Sequence, residues 1–234
     1  MITFVILATF VSRLRRERER SESLLLNILP PSVAARLRAG EQRIAEAHAS
    51  ATILFADVVD FTPLSASLEP RAMLALLDDA FSHFDDLATK HGVEKIRTIG
   101  DNYMAVAGAP IPCADHAERC ARMALDMLAY CSVKRRLLFR IGINSGPLVG
   151  GVIGKRKFVY DVWGDPVNTA SRMESHGVPG AIQIGEASYE LLKDRFDCEP
   201  RGIVEVKGKG ALRTWLLRGE RRRSAGSDLA SEPR

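Results

Sequence analysis

The sequence lacks an apolar stretch able to cross a bilayer unaided. Its N-terminal apolar run, Met1 to Val11, has eleven residues, about half of the ~20 a membrane-spanning helix needs. Metal-binding cysteine spacings are missing too. The four cysteines, Cys113, Cys120, Cys131 and Cys198, form no CxxC pair and no Cys/His pattern, which argues against zinc and a disulfide framework and suits a reducing cytoplasm. Charge of one sign is scarce: 33 Lys and Arg against 29 Asp and Glu leave a net +4. The basic surplus sits at the two ends, Arg13 to Arg20 and Arg218 to Arg223. That distribution argues against a nucleic-acid-binding face and suits a membrane flank and a solvated tail. No internal repeat is evident.

A chain of 234 residues with 46% hydrophobic content accommodates one well-buried domain with flanking segments. Residues 1–12 run straight into Arg13, Arg15, Arg16, Arg18 and Arg20, and read as the cytoplasmic end of a truncated transmembrane helix. A signal peptide would carry its positive charge before the apolar run, the reverse order; docking of the run on the domain is another reading. Residues 13–47 form an expected helical linker. Arg13 to Leu26 has no Gly or Pro and is rich in Arg, Glu and Leu, until Pro30-Pro31 ends it. Leu24, Ile28, Val33 and Leu37 could line a parallel coiled coil, or the segment could be a solvated spacer. Ser32 is a candidate cap for a short helix from Val33 to Arg38.

The main domain is expected over 48–218, with a disordered tail over 219–234. Its elements are a strand at Ala51 to Val59, a helix at Glu69 to His91, and strands at Val93 to Ile99 and Tyr103 to Ala107 around Gly100-Asp101-Asn102. A helix at Ala114 to Tyr130 and a strand at Leu138 to Asn144 follow. This order predicts an α+β fold with a ferredoxin-like βαββαβ core. Further strands and short helices are expected at Pro147 to Ile153, Val159 to Val162, Asp165 to Ser175, Ala181 to Ile184 and Val204 to Leu217.

Asp57 and Asp101 end or turn strands expected in mid-sheet, where an unpaired carboxylate is costly. Hard oxygen ligands for magnesium or manganese account for both; Asp60 reads as a turn residue. Five strings then occur in order: FADVVDFT from Phe55, EKIRTIGDNYMAV from Glu94, FRIGINSG from Phe139, YDVWGDPVNTASRMES from Tyr160 and VKGKG from Val206. Together they resemble the class III nucleotide cyclases, and LLLNILPPSVAARL before the domain is similar to that family's linker.

The resemblance implies conversion of ATP to cyclic AMP and pyrophosphate with two divalent ions, Mg2+ or Mn2+. By similarity Asp57, Asp101 and the Val58 carbonyl hold the ions, and the backbone of Val59, Asp60, Phe61 and Thr62 cradles the triphosphate. Lys95 and Asp161 match the purine-reading pair: a donor to adenine N1 and an acceptor from its N6 amino group, which guanine mismatches. Asn168 and Arg172, four apart on one helix, match the residues that orient the ribose and stabilise transition-state charge. Arg140 and Lys207 match those that grip the leaving phosphates. The chain holds both half-sets that the family divides between subunits, which implies a homodimer with interfacial sites. The family's linker and the arginine-flanked N-terminus imply attachment at the cytoplasmic side of a cell membrane. A guanylyl cyclase, which Lys95 and Asp161 oppose, and a catalytically silent signalling module are the alternatives. The strings of diguanylate cyclases and RNA-binding domains are absent.

Overall fold

The computed structural model describes residues 10–18, 20, 25–26, 28–134, 136–154, 158–206 and 208–221. Among them no helix is long and apolar enough to cross a membrane. Most of the apolar N-terminal run, most of the expected tail and Lys207 lie outside the described residues.

Strand β1 (Ala45–Val58) is the spine of the domain. Its segment Ala51 to Ala56 is buried on both faces because different layers cover each side. Helix α2 (Phe61–Ser67) follows, then α3 (Pro70–His91), which begins with Glu69 accepting from the Ala72 amide and with Pro70 in the first turn. Gly92, at φ +63°, closes α3 in a left-handed conformation. The β2 (Glu94–Ile99) and β3 (Asn102–Ala107) hairpin leads to α4 (His116–Lys134), whose inward stripe includes Cys120, Met123, Met127 and Cys131. All four cysteines are free, and Cys120 and Cys131 are ordinary core residues of that helix. After β4 (Phe139–Ile153) come β5 (Val159–Trp163), α5 (Asp165–Ser175), β6 (Ile182–Gly185), α6 (Glu186–Leu192), β7 (Phe196–Val206) and β8 (Gly210–Glu220).

The sheet order is β2-β3-β1-β4-β6-β8-β7, with β5 paired to β4 alone. Its first four strands, with α3 and α4, are the expected βαββαβ core. One face of β1 packs under α3 and α4 through Leu54, Phe84, Met123, Met127 and Ile141. The other face, with Ile53 and Phe55, is covered by Leu29, Val33, Tyr160, Val162 and Ala170.

Several boundaries differ from expectation. Helix α1 is Pro31–Arg38; Ser32 lies inside it rather than capping it, because Pro31 tolerates the first turn without an amide donor. The Ser32 hydroxyl is buried without a partner. Arg36 fixes this helix to the domain, reaching Glu41 and Glu46 at 2.6 Å each. Strand β4 is continuous through Pro147, where two strands were expected, and bends at an irregularity opposite His48 to Ala51. The C-terminal region is a long hairpin of β7 and β8, the latter reaching Glu220. Strand β7 is a polar edge carrying Pro200 and Gly202 at a register shift, so it has no alternation to betray it.

Candidate active site

The end of β1 meets the β2–β3 turn and the start of β4. Register places Asp57 opposite Asn102 on one side and opposite Arg140 on the other. Asp101 sits in the turn, where amides of Val58 and of Asp101 itself donate to its carboxylate. Even so, burial and then the nearby Asp57 charge raise the Asp101 pKa, with Arg140 partly offsetting them. A carboxylate made costly to ionise by burial and a neighbouring carboxylate is what a hard divalent cation relieves. Asp57, Asp101 and the Val58 segment are therefore brought together and fit such an ion. Among the described residues no group of three or more His, Cys, Asp or Glu side chains is assembled for a metal, so an ion here would complete its shell with water or phosphate oxygens.

Arg140 projects into the same space. Its Nη2 is 3.7 Å from Asp57 Oδ2 and its Nε is 3.5 Å from Glu174 Oε1. Glu174 was not singled out by sequence reasoning. It lies on the buried face of α5, and its pKa is pushed up to about 7 by burial first and then by Asp57, with Arg140 opposing. A signal was present: a carboxylate beside Met173 and four residues after Ala170 occupies the stripe that an amphipathic helix buries. Helix and strand meet closely here, since a Cβ on Gly142 would fall 2.0 Å from the Glu174 amide nitrogen.

Asn168 and Arg172 share the opposite face of α5 and are exposed. Successive helix residues turn by roughly 100°, so Arg172 points about 200° away from Glu174. Arg172 makes no ion pair with Asp57 or Asp101 among the described residues. Below this helix, Lys209 donates to Asp165 Oδ1 at 2.5 Å and to Thr169 Oγ1 at 2.7 Å, tying the β7–β8 turn to α5. Lys207, the expected phosphate ligand in that turn, is outside the described residues.

The two residues expected to read the purine are not brought together. Lys95 does not face Asp161: its ammonium donates to Asp85 at 2.6 Å and lies 5.3 Å from the Tyr103 ring centroid. The cation on Asp161 is Arg97, whose Nη1 is 2.5 Å from Asp161 Oδ2, while the Val162 amide holds the other carboxylate oxygen. A β-bulge is the cause. Lys95 pairs with Ala105 and Arg97 with Met104, so Ile96 is the extra residue and the two cations leave on opposite sheet faces.

The expected phosphate cradle also narrows. The Val59 amide already donates to the Leu138 carbonyl at 2.8 Å. Asp60 adopts φ +53° before α2 and makes no side-chain cap, leaving the first-turn amides of Phe61 and Thr62 without intrahelical acceptors. A cavity of about 650 Å³ between the linker and α3 is lined by Lys95 and Arg119 but by none of Asp57, Asp101 or Arg140.

Comparison with known proteins gives this geometry its family. A model described as the adenylate and guanylate cyclase catalytic domain matches residues 44–219. An adenylate cyclase of Mycobacterium tuberculosis is 45% identical over 225 residues, covering 93% of this chain and 51% of that protein. The human guanylate cyclase soluble subunit beta-2 is 41% identical over 208 residues, covering 86% of this chain and 34% of that protein. The chain thus spans about half, or less, of the length of these curated relatives. Among solved structures, the guanylate cyclase domain of RhGC from Catenaria anguillulae, in complex with GTP, superposes with TM-score 0.73 at 36% identity, covering 75% of this chain and all of that one. The chain therefore belongs to the adenylate and guanylate cyclase catalytic domain family, the class III nucleotide cyclases.

Proposed function

We propose that the chain works as a homodimer that converts ATP to 3′,5′-cyclic AMP and pyrophosphate, with two divalent ions at each interfacial site. The observation that carries this reading is the division of α5. Its buried face abuts Arg140, beside this chain's own Asp57, whereas Asn168 and Arg172 face outward. A nucleotide held at Asp57 and Asp101 would meet the partner's Asn168 and Arg172 rather than those of the same chain.

The chemistry follows from these positions. Bound ions would lower the pKa of the ribose 3′-hydroxyl and neutralise phosphate charge. Asp57 and Asp101 bind them, with the Val58 carbonyl in reach of the same space. The free amides of Phe61 and Thr62 donate to phosphate oxygens, and Arg140 and Lys207 hold the departing pyrophosphate. The partner's Asn168 orients the ribose, and the partner's Arg172 stabilises charge that grows on the α-phosphoryl oxygens.

Adenine is favoured by Arg97 and Asp161. With Asp161 set against the group at purine position 6 and Arg97 against position 1, adenine supplies a donor and an acceptor in matching order. Guanine in that orientation sets its O6 against the carboxylate and its N1–H against the cation. The 45% identity to a protein named adenylate cyclase supports the same choice. The second reading, a guanylyl cyclase, is favoured by the 41% identity to the human guanylate cyclase subunit. Membrane attachment through residues 1–12, with the catalytic domain on the cytoplasmic side, belongs to the same proposal and rests on the apolar run followed by five arginines.

The test is turnover of ATP against GTP by the purified chain with Mn2+ or Mg2+, following the cyclic product, with Asp101→Ala as control. Arg97→Gln should lower kcat/KM for ATP by about tenfold, the cost of one charge-assisted hydrogen bond. Lys95→Gln should leave the ATP-to-GTP ratio unchanged. A ratio that responds to Lys95 and not to Arg97 refutes the base-reading assignment, and a preference for GTP moves the conclusion to the second reading.

A further inference from the structure

Two buried polar atoms in the domain lack a close hydrogen-bond partner and face each other: Arg140 Nε and Glu174 Oε1, 3.5 Å apart. Arg140 has a competing neighbour in Asp57, 3.7 Å from its Nη2. The Glu174 backbone cannot follow the arginine, because α5 is seated against β4 at Gly142, with the Glu174 amide in the space a side chain there would need. The guanidinium is shared between Asp57 and Glu174, and the buried Glu174 carboxylate is the counter-charge carried on an anchored backbone. Without it, the favourable move for a half-buried cation is toward Asp57.

We propose that Glu174 is a positioning residue: it holds the Arg140 guanidinium off Asp57, keeping Asp57 open to a divalent ion and Arg140 aimed at the phosphates. This rests on the roles given above to Asp57 and Arg140. Glu174 itself touches neither substrate nor ion. Its contribution is to decide which of two carboxylates Arg140 leans on. With Glu174 charged and buried at only 5% exposure, the arginine is shared; with that charge removed, Asp57 gains a full ion pair that a metal must displace.

The experiment is a double-mutant cycle on the purified chain with Glu174→Gln, Arg140→Ala and the double variant. The first readout is Mn2+ affinity by electron paramagnetic resonance titration without nucleotide; the second is KM against kcat for ATP. Glu174→Gln should weaken Mn2+ binding and raise KM by about tenfold each, the scale of one charge-assisted interaction. Arg140→Ala should tighten or preserve Mn2+ binding while raising KM, and in its background Glu174→Gln should no longer affect Mn2+. Glu174→Asp keeps the charge and should give a smaller shift in Mn2+ affinity that also vanishes with Arg140→Ala. It serves in place of Glu174→Gln if thermal melting finds that variant unfolded.

Unchanged Mn2+ affinity in a folded Glu174 variant, or an effect that adds in full to that of Arg140→Ala, overturns the positioning role alone. Unchanged KM in Arg140→Ala overturns the phosphate role of Arg140 and this inference with it. A raised KM in Arg140→Ala, with the effect of Glu174→Gln on Mn2+ affinity absorbed by it, is the supporting result.

Discussion

Consider mixing two inactive variants, Asp57→Ala and Arg172→Ala. Each removes one half of a site. On the proposed mechanism Asp57→Ala deletes a metal carboxylate, and Arg172→Ala deletes a transition-state donor, a loss of about 10²- to 10³-fold when such a donor is removed from a preorganised site. Arg172 faces away from its own chain's Glu174 and Arg140, so in the proposed homodimer a site would take Asp57 from one chain and Arg172 from the other. In a heterodimer of the two variants, one site then draws an intact Asp57 and an intact Arg172, and the second site lacks both. Random association makes about half of the dimers mixed, each with one working site of two, so activity should recover to about one quarter of the unmutated chain. The assay is cyclic-product formation after co-refolding or co-expression at equal amounts, so that slow subunit exchange does not hide the effect. If Arg172 served its own chain, every chain in the mixture would still lack one essential group. Activity equal to the mean of the two separate variants would therefore refute the shared-site argument.

Two further predictions concern stability. Burial pushes the Glu94 carboxyl up to about 7, well above its unfolded value, so the folded state holds a proton there that the unfolded chain releases near pH 4.5. Stability should accordingly fall as pH rises from about 4.5 to about 7, by no more than about 2 kcal/mol after allowing for partial exposure. Glu94→Gln should flatten that slope in denaturant melts across the window, and an unchanged slope counts against the burial argument. Gly142→Ala should cost about 1–3 kcal/mol by overpacking, because the new methyl meets backbone of α5 rather than a side chain able to yield. A thermal midpoint equal to that of the unmutated chain would mean that α5 shifts without penalty.

Much of the fold was legible because apolar periodicity and turn residues agree in the first half of the chain. Met73, Phe84 and Leu87 of α3 are buried and the β2–β3 turn lies at Gly100, as the pattern put them, whereas Leu74, counted on the same stripe, is exposed. Agreement ended where strands face water. Strand β7 alternates poorly because it is an edge, and the early part of β1, from Ala45 to Ser50, is mostly exposed, with β4 as its one paired neighbour there.

The site was legible where chemistry alone sets the residue. Carboxylates at the ends of buried strands, such as Asp57 and Asp101, are expensive enough to need a reason, and the sequence exposes them. Residues whose role depends on the face they occupy were harder. Strict alternation puts Lys95 and Arg97 on one side of β2, and no residue type in EKIR announces the bulge that parts them. Both cations are then satisfied, Lys95 by Asp85 and Arg97 by Asp161. A one-residue slip therefore changes which cation meets Asp161 without leaving either unpaired, and the carboxylates on the two faces, rather than the cations, determine the pairing. Glu174 follows the same logic on a helix: two residues from Arg172 in sequence, it is turned to the opposite side, and only packing at Gly142 fixes which of the two meets Arg140.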